Sequence, residues 1–392
     1  MLRELSIEIY LFVFRIVFSI GKRFPLKRRA LFITSFGYNT EYVAREILKS
    51  TKESIIILNT GTLEQSFLSK DQQKRIVVKR FTPTRPIQWL HSIGLLATSS
   101  TVYVDNYYGF LAVTNFKKNV RCVQLWHAAG AIKQFGLKDP SNQYRTRRAL
   151  ERFQTVYHRF TDVVAGSREM ENIFSEAFGL DGSRMLPTGV PRTDFFYDDV
   201  ALAQAKQTVY ETYPELAGKK VILYAPTYRD DALNADVGTA DLPINLDILE
   251  KELGSDYIFL LKLHPAVSAK WQIYSNDVVM DISDYPNVNE LLVVADVLIS
   301  DYSSIPFEYA ILERPMIFFA YDLASYTEMR GFWEPYEKLI PGPLVQTTEE
   351  LIEAIKHKEI DLEQIRQFRM KWNEYSIGNS SEKLVSRMHK VK

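Results

Sequence analysis

The sequence predicts an α/β protein with two successive parallel β-sheets. Short runs rich in β-branched residues alternate with longer helical stretches, a pattern typical of strands joined by crossover helices. The pattern occurs in two series, one starting at residue 30 and the other at residue 220. The length of 392 residues also suits two domains better than one. We therefore expect two Rossmann-like domains facing each other, with ligands beyond the carboxyl ends of the strands.

One polar helix separates the two series of predicted strands. The first series comprises residues 30–34, 54–58, 75–78, 101–104, 120–125 and 161–165. The second comprises residues 221–224, 257–263, 278–282, 297–300 and 316–319. The separating helix is predicted over 201–215, ends near Pro214 and marks the domain boundary. The predicted domains are therefore 30–205 and 206–392, and the second includes a long charged C-terminal helix over 362–388 that is interrupted near Gly378.

Residues 1–29 form a separate amphipathic segment. Residues 2–20 are mostly apolar, but Arg15 would lie near the middle of a membrane-spanning helix. On a helix, the polar residues fall on one narrow stripe: Glu4, Glu8, Arg15, Ser19 and Lys22. We expect a helix in the plane of the membrane surface, followed by a basic collar over residues 22–29 that suits anionic headgroups. The alternative is a helix that packs on the protein's own surface.

Composition excludes several classes of function. The chain carries 48 basic and 48 acidic residues, so it lacks the positive excess that a general nucleic-acid-binding protein needs. Cys122 is the single cysteine, and its place in an apolar predicted strand indicates a buried side chain rather than a nucleophile. The sequence contains no P-loop, no Gly-x-Gly-x-x-Gly segment and no residue spacing typical of a metal site. These features indicate a protein of the reducing cytoplasm without a dedicated metal site.

Two of the six histidines follow predicted strands at matching positions in the two series. His127 runs into small residues, 128–131, which allow a ligand to approach the backbone closely. His264 follows the strand 257–263, and Pro265 closes that strand. A histidine at the carboxyl end of a strand can act as a general base near neutral pH. A lone histidine is more often structural, but the small residues and the nearby Lys133 favour the catalytic interpretation at His127.

Residues 296–308 are predicted to bind an anion. They read as strand, turn and helix, with Ser304 as N-cap and Pro306 in the first helical turn. A helix N-terminus together with the hydroxyls of Ser303 and Ser304 suits a phosphate or pyrophosphate. Arg192 lies in a further turn and suits a fork-type phosphate contact, whereas Arg229 lies just after the first strand of the second series; a surface ion pair is the alternative for each.

Five segments in this order resemble the signatures of the CDP-glycerol:poly(glycerophosphate) glycerophosphotransferases, which are wall teichoic acid enzymes with a GT-B fold. The segments are Trp-His-Ala-Ala-Gly at 126–130, Gly-Val-Pro-Arg-Thr-Asp at 189–194, Tyr-Ala-Pro-Thr-Tyr-Arg-Asp at 224–230, Lys-Leu-His-Pro at 262–265 and Ser-Asp-Tyr-Ser-Ser at 300–304. The first segment is more often Trp-His-Gly-Thr-Pro in this family, so residues 128–130 depart from it. That departure and the chain length resemble the priming branch of the family rather than its polymerases.

The resemblance implies CDP-glycerol as donor, undecaprenyl-diphosphate-linked N-acetylmannosaminyl-N-acetylglucosamine as acceptor, and a peripheral location on the cytoplasmic face of the cell membrane, beside other teichoic acid enzymes. It implies that His127 deprotonates the acceptor hydroxyl and that His264 binds the donor pyrophosphate as CMP leaves. The other binding residues that it implies are Ala128, Ala129, Gly130, Ala131, Arg192, Pro226, Thr227, Lys262, Leu263, Ser303, Ser304, Glu308 and Arg330. No organic cofactor is implied, and the need for a divalent cation stays open.

Three other functions remain open at this point. The same signatures fit a transferase that extends an already primed chain, including one that uses CDP-ribitol. They also fit a nucleotide-sugar glycosyltransferase of the same fold. A membrane scaffold with a degenerate transferase fold is the alternative from another class, and the intact histidines and the Asp-Tyr-Ser-Ser segment at 301–304 argue against it.

Overall fold

The chain folds into two compact units. The computed structural model describes residues 2–61, 74–227, 229, 242–263, 276–357 and 359–389. The first unit comprises Met1–His127, Phe135–Asp194 and Glu374–Lys392. The second comprises Ala128–Gln134 and Phe195–Asn373.

A parallel sheet of seven strands forms the centre of the first unit. Its strands are β1 (Lys27–Thr34), β2 (Ser54–Asn59), β3 (Ile76–Arg80), β4 (Ser99–Val104), β5 (Arg121–Gln124), β6 (Asp162–Val164) and β7 (Met185–Leu186). They lie in the order β3-β2-β1-β4-β5-β6-β7, and neighbouring strands are parallel. In this doubly wound order the strand sequence reverses between β1 and β4, which is where such sheets bind their ligands.

The second unit repeats this arrangement with six parallel strands. These are β8 (Lys220–Tyr224), β9 (Tyr257–Leu261), β10 (Val279–Asp281), β11 (Val297–Ser300), β12 (Met316–Phe319) and β13 (Leu344–Val345). Their order is β10-β9-β8-β11-β12-β13, so the reversal falls between β8 and β11. The predicted α/β class with two parallel sheets is confirmed. The strands β7 and β13 were not predicted, because two residues are too few to carry a periodic pattern.

Helices follow most strands. Among the described residues, and in chain order, they are α1 (Leu2–Gly21), α2 (Tyr38–Ser50), α3 (Pro86–Ala97), α4 (Arg147–Tyr157), α5 (Arg168–Phe178), α6 (Asp199–Thr212), α7 (Leu246–Leu253), α8 (Val288–Val294), α9 (Ile305–Tyr309), α10 (Leu323–Arg330), α11 (Tyr336–Leu339), α12 (Thr348–Lys356), α13 (Leu362–Trp372) and α14 (Ser380–Met388). The sheets lie between helices, and their central strands are buried on both faces, as expected for parallel strands.

The C-terminal residues return to the first unit. Leu384 and Val385 of α14 are fully buried in the core of the first sheet. His389 lies just beyond α14 and is buried, with Nδ1 2.8 Å from the carboxylate of Glu53 and Nε2 2.7 Å from the hydroxyl of Tyr103. Burial lowers the pKa of His389, and the neighbouring carboxylate offsets part of that effect. The end of the chain is therefore an integral part of the first unit.

The division of the chain differs from the predicted domains in three respects. The boundary lies at Asp194/Phe195, whereas the predicted one at 205/206 falls inside α6. The predicted interruption near Gly378 is confirmed, because the C-terminal helix is divided into α13 and α14, but α14 belongs to the first unit rather than the second. The short segment Ala128–Gln134 also belongs to the second unit. Each difference depends on packing between residues far apart in sequence, which local patterns do not contain.

The N-terminal helix α1 packs one of its faces on its own unit. Phe14 and Phe18 are 0% and 1% exposed, and Phe14 stacks on Phe110 with a ring separation of 4.8 Å. On the polar stripe, Glu8 pairs with Arg148 of α4 at 2.9 Å. The alternative of packing on the protein's own surface therefore accounts for part of the apolar side of this helix.

The opposite face of α1 remains apolar and exposed. Five side chains on this face are between 44% and 62% exposed: Leu5, Ile9, Phe12, Ile16 and Ile20. They recur at helical spacing, so they form one continuous stripe. Among the described residues, no helix is both long enough and apolar enough to cross a membrane.

Candidate active site

Asp105 organises the reversal point of the first sheet. It directly follows β4, is 1% exposed, and accepts hydrogen bonds from the backbone N–H groups of Ser35 and Phe36, both at 3.0 Å. The Tyr108 hydroxyl donates to the same carboxylate at 2.8 Å, and the Thr34 hydroxyl also donates to it. These bonds fix the loop between β1 and α2. The sequence analysis missed Asp105, although an acidic residue directly after a buried strand is a readable signal.

The His127 imidazole is fixed beside this loop. Its Nδ1 lies 3.0 Å from the backbone carbonyl oxygen of Asp105. Because a carbonyl oxygen can only accept, this bond assigns the proton to Nδ1 and places the lone pair on Nε2. The ring is stacked between Phe36 at 4.4 Å and Trp126 at 4.3 Å. An imidazole with this tautomer and a fixed plane is suited to accept a proton at Nε2.

Trp126 turns the chain at the end of β5 in a strained conformation. Its φ is 57°, in the left-handed region that costs a side-chain-bearing residue roughly 1–2 kcal/mol. Two hydrogen bonds hold it there: its N–H donates to Gln124 Oε1 at 2.9 Å, and its carbonyl accepts from Asn39 Nδ2 at 2.9 Å. Strain held by the surrounding structure is a frequent property of functional sites.

Asn39 links His127 to the second predicted residue of this unit, Arg192. Its Nδ2 donates to the carbonyls of Leu125 and Trp126, and its Oδ1 accepts from the backbone N–H of Arg192 at 3.0 Å. Arg192 is 8% exposed, and its guanidinium lies 5.6 Å from the centre of the Tyr38 ring. The structure therefore brings the loops of His127 and Arg192 together. Sequence reasoning missed Asn39, because an asparagine in the first turn of a helix reads as an ordinary helix-start residue.

Most of the segment 189–194 docks the C-terminal helix. Gly189 has φ 84°, and a Cβ there would lie 2.4 Å from the Ser380 hydroxyl oxygen. The Asp194 carboxylate accepts from the backbone N–H groups of Ser380 and Ser381, both at 2.8 Å. Arg192 is thus the residue of this segment that remains a candidate for ligand contact.

The small residues 128–131 are used largely for packing inside the second unit. A Cβ on Gly130 would lie 2.2 Å from Cδ1 of Phe307, so glycine is required by that ring. Ala129 and Ala131 are 0% and 7% exposed, and Ala128 is half-buried. The sequence suggested that a ligand approaches the backbone closely at these small residues. At Gly130 the Phe307 ring occupies that position instead.

The reversal point of the second sheet gathers several predicted donor-site residues. Thr227, which follows Pro226 after β8, donates its backbone N–H to Asp301 Oδ1 at 2.8 Å. Ser303 Oγ accepts from the backbone N–H of Ile305 at 3.3 Å. Ser304 occupies the N-cap position of α9, but within the described chain its side chain makes no capping bond. The structure brings Thr227 and the segment 301–304 together at one sheet edge.

Arg229 is an internal cation rather than a surface one. Its guanidinium donates to Asp301 at 2.8 Å and to Asp322 at 2.7 and 3.0 Å, and it lies over the rings of Tyr302 and Tyr326 at 4.9 and 4.8 Å. Burial alone would lower the pKa of Arg229, but the bonds to Asp322 and the charge of Asp301 raise it. The ion pair suggested for Arg229 is confirmed, but its location at the surface is wrong, because the pairs with Asp301 and Asp322 are largely buried. These contacts indicate that Arg229 anchors the loop after β11.

Lys262 and Leu263 are the last described residues before His264. The Lys262 ammonium donates to the carbonyl of Ser283, and the Leu263 N–H donates to the Ser283 hydroxyl at 3.0 Å. Burial lowers the pKa of Lys262, and Asp284 and Asp281 offset part of that effect. His264 itself lies outside the described residues.

Two further predicted residues lie at helix positions of the second unit. Glu308 is in the first turn of α9 and is 2% exposed, whereas Arg330 is the last residue of α10 and is exposed. In the part of the chain that the structure describes, no three or more His, Cys, Asp or Glu residues are grouped so that they could hold a metal ion.

Known proteins resemble this chain in sequence and in fold. Residues 22–390 match the family model of the CDP-Glycerol:Poly(glycerophosphate) glycerophosphotransferases. A teichoic acid glycerol-phosphate primase of Bacillus subtilis (strain 168) is 38% identical over 302 residues, which are 77% of this chain and 76% of that protein. One from Bacillus spizizenii is 32% identical over 382 residues, 96% of each chain.

A solved structure of a wall teichoic acid enzyme has a similar fold. A variant of the wall teichoic acid polymerase TagF soaked with CDPG has a TM-score of 0.80 and 26% identity, covering 96% of this chain and 92% of that one. The family match spans nearly the whole chain and includes all five resembling segments. The chain therefore belongs to the CDP-glycerol:poly(glycerophosphate) glycerophosphotransferase family.

Proposed function

We propose that the protein transfers one sn-glycerol 3-phosphate unit from CDP-glycerol to undecaprenyl-diphosphate-linked N-acetylmannosaminyl-N-acetylglucosamine and releases CMP, as a glycerol-phosphate primase of wall teichoic acid biosynthesis. The observation that carries this proposal is the His127 imidazole, whose Nδ1 contact with Asp105 orients Nε2 as a proton acceptor at a sheet reversal point. The similarity to two glycerol-phosphate primases supports the choice of substrates.

The proposed reaction uses residues of both units. His127 Nε2 takes the proton of an acceptor hydroxyl, and the resulting oxygen attacks the phosphorus that carries glycerol. The bond from that phosphorus to the bridging oxygen breaks, and CMP leaves with the electron pair. His264 offsets the charge that develops on the leaving phosphate. The proposal includes a GT-B arrangement, in which two Rossmann-like domains face each other across a cleft.

The donor side of the proposed site lies at the reversal point of the second sheet. Ser303 and Ser304 offer hydroxyls and the N–H groups at the start of α9 to the phosphates. Lys262 supplies a cation at the end of β9. The remaining donor-side residues of the proposal are Pro226, Thr227, Leu263, Glu308 and Arg330. Arg192 completes the set in the unit of His127, and the proposal also includes residues 128–131, which directly follow His127 in sequence and belong to the second unit.

Chain extension is the second candidate function, because the polymerase TagF has the same fold over nearly the whole chain. Product analysis separates the two. We expect radiolabelled CDP-glycerol and a synthetic lipid-linked disaccharide to give a product with one added glycerol phosphate. A ladder of products would identify an extender, and labelling from CDP-ribitol alone would identify a different donor. Hydrolysis of a nucleotide-sugar but not of CDP-glycerol would instead indicate a glycosyltransferase.

We also propose that the exposed apolar stripe of α1 attaches the protein to the cytoplasmic face of the cell membrane. The stripe is continuous, and a basic collar over residues 22–29 follows it. Deletion of the whole helix would be a poor test, because removing Phe14 would also uncover Phe110 and Trp89. Substitutions confined to the exposed stripe avoid that problem.

The triple variant Ile9→Gln, Phe12→Gln and Ile16→Gln is expected to lose sedimentation with vesicles that contain anionic lipids. Each lost side chain removes apolar surface that would otherwise enter the bilayer, whereas the inward face of α1 is unchanged. The matched control is Val200→Gln with Met370→Gln, which are 79% and 61% exposed and lie elsewhere. Continued sedimentation of the triple variant, or equal loss in the control, would contradict attachment through this stripe.

A further inference from the structure

A cavity of about 220 Å³ opens beside the residue that precedes His127. All its lining residues belong to the first unit, and Trp126 forms part of its wall. Trp126 stacks on Phe135 at 4.7 Å, and Tyr107 packs edge-on against Phe153 at 4.9 Å. The cavity is thus lined by aromatic rings and reaches the segment that holds the proposed catalytic base.

Polar groups are interspersed among these rings. Asn106 and Asp139 line the cavity together with the aromatic residues. Asn106 uses its Oδ1 to accept the N–H of Tyr107 at 2.8 Å, and Asp139 uses Oδ1 to accept the N–H of Ser141 at 2.8 Å. Each side chain has a second polar atom as well. Aromatic faces with a few amide and carboxylate groups suit a sugar ring, which offers C–H faces and hydroxyl edges.

A cation stands at the rim of the cavity. Arg145 lines it, is exposed, and has its guanidinium 5.0 Å from the centre of the Phe153 ring. Three neighbouring arginines have carboxylate partners: Arg147 with Glu151, Arg148 with Glu8, and Arg152 with Glu4. Within the described residues Arg145 forms no such ion pair.

Arg145 also lies at the positive end of a helix. It precedes α4, whose first turn contains two arginines and no acidic residue. Positive side chains at the positive end of a helix are destabilising unless an anion is nearby. An anionic group of a ligand at the cavity rim would be favoured by the dipole of α4 and would make a charge-assisted contact with Arg145.

The helix next to Arg145 contacts α1, which carries the exposed apolar stripe. The helix α4 packs on the 3-10 segment Gly109–Val113, and α1 packs on the same segment. Arg148 of α4 also pairs directly with Glu8 of α1 at 2.9 Å. The helix that begins beside Arg145 therefore contacts α1, the helix that carries the exposed apolar stripe, within the first unit.

We propose that this cavity is the acceptor subsite: a sugar ring of the acceptor lies against Tyr107, Phe153 and Trp126, and its diphosphate contacts Arg145. The lipid chain then continues toward the apolar stripe of α1. This inference rests on the proposed function, because it takes the acceptor to be a lipid-linked saccharide diphosphate. These residues are proposed to bind the acceptor and not the donor.

The test uses the full-length protein and two soluble probes, the disaccharide with a diphosphate and a short alkyl chain, and the same disaccharide without phosphate. The variant Arg145→Gln is expected to raise the KM for the diphosphate probe roughly tenfold and to leave the KM for CDP-glycerol unchanged. Titration without donor is expected to show that Arg145→Gln binds both probes about equally, whereas the original protein prefers the diphosphate. Phe153→Leu is expected to weaken binding of both probes.

The matched control is Arg147→Gln, two residues away, whose side chain is 92% exposed and is absent from the cavity lining. An unchanged KM in Arg145→Gln, or an equal change in Arg147→Gln, would overturn the acceptor subsite. The proposed function fails separately: a protein that binds the diphosphate probe through Arg145 but transfers no glycerol phosphate would refute the transfer and support the subsite. Transfer of glycerol phosphate with an unchanged KM in Arg145→Gln would support the proposed function and refute the acceptor subsite.

Discussion

Replacing His127 by Asn is expected to lower the turnover of glycerol-phosphate transfer by a factor of about 10²–10⁴, the usual contribution of a general base. Asparagine keeps a polar side chain of moderate size but cannot accept a proton near neutral pH. Binding of CDP-glycerol, measured by titration, is expected to stay within a fewfold of the original value. The readout is the single-turnover rate at saturating concentrations of both substrates.

The control for this variant is His158→Asn. His158 is also in the first unit and its Nδ1 also contacts a backbone carbonyl, that of Gln154 at 2.7 Å, but it is exposed at the end of α4. We expect its substitution to leave turnover unchanged. Turnover of His127→Asn within a fewfold of the original would remove His127 from the mechanism, and equal losses in both variants would point to a general effect on folding.

Replacing Arg229 by Met is expected to destabilise the second unit by about 3–5 kcal/mol, because it leaves Asp301 buried and charged without its cation. Asp322 loses the same partner and keeps only the hydrogen bond that the Tyr302 hydroxyl donates to it. Urea unfolding of the full chain, followed at the transition that CDP-glycerol shifts, measures this loss. A ligand shifts only the unit that binds it, so that transition identifies the donor-binding unit.

Two companion variants decide whether the buried charge is the cause. Arg366 also pairs with two carboxylates, Glu313 and Glu363, but its side chain is 49% exposed. Arg366→Met is expected to cost much less stability than Arg229→Met, because exposed ion pairs contribute little. Adding Asp301→Asn to Arg229→Met is expected to restore part of the lost stability, since it removes the uncompensated charge. Equal effects of Arg229→Met and Arg366→Met would contradict the internal role of Arg229.

Local sequence patterns were sufficient for most strands of the two sheets and for the loops that follow those strands. A buried β-branched run ends at a defined residue, and parallel strands bring such ends to one edge. His127, Thr227 and the segment 301–304 could be placed at sheet edges for that reason. The sequence predicted that Ser303 and Ser304 both bind phosphate. The structure shows a further contact that the sequence could not reveal: the Ser303 hydroxyl accepts a hydrogen bond from the backbone N–H of Ile305.

Long-range contacts could not be derived in the same way. Asn39 acts on residues 86, 87 and 153 positions away in sequence, so nothing around it reveals its role. The glycine at 130 was read as space for a ligand, because a sequence cannot show that the Phe307 ring occupies that space. Arg229 was ambiguous for a similar reason, since its partner Asp322 is 93 positions away.

The return of residues 374–392 to the first unit affects the order in which the protein can mature on the ribosome. The second unit consists mainly of one continuous stretch, Phe195–Asn373, so its sheet can close as soon as that stretch emerges. The first unit has all its strands much earlier, but Leu384 and Val385 still have to cover its core. The unit that is synthesised first is therefore completed last, and its apolar face stays open to other proteins while the rest of the chain is made.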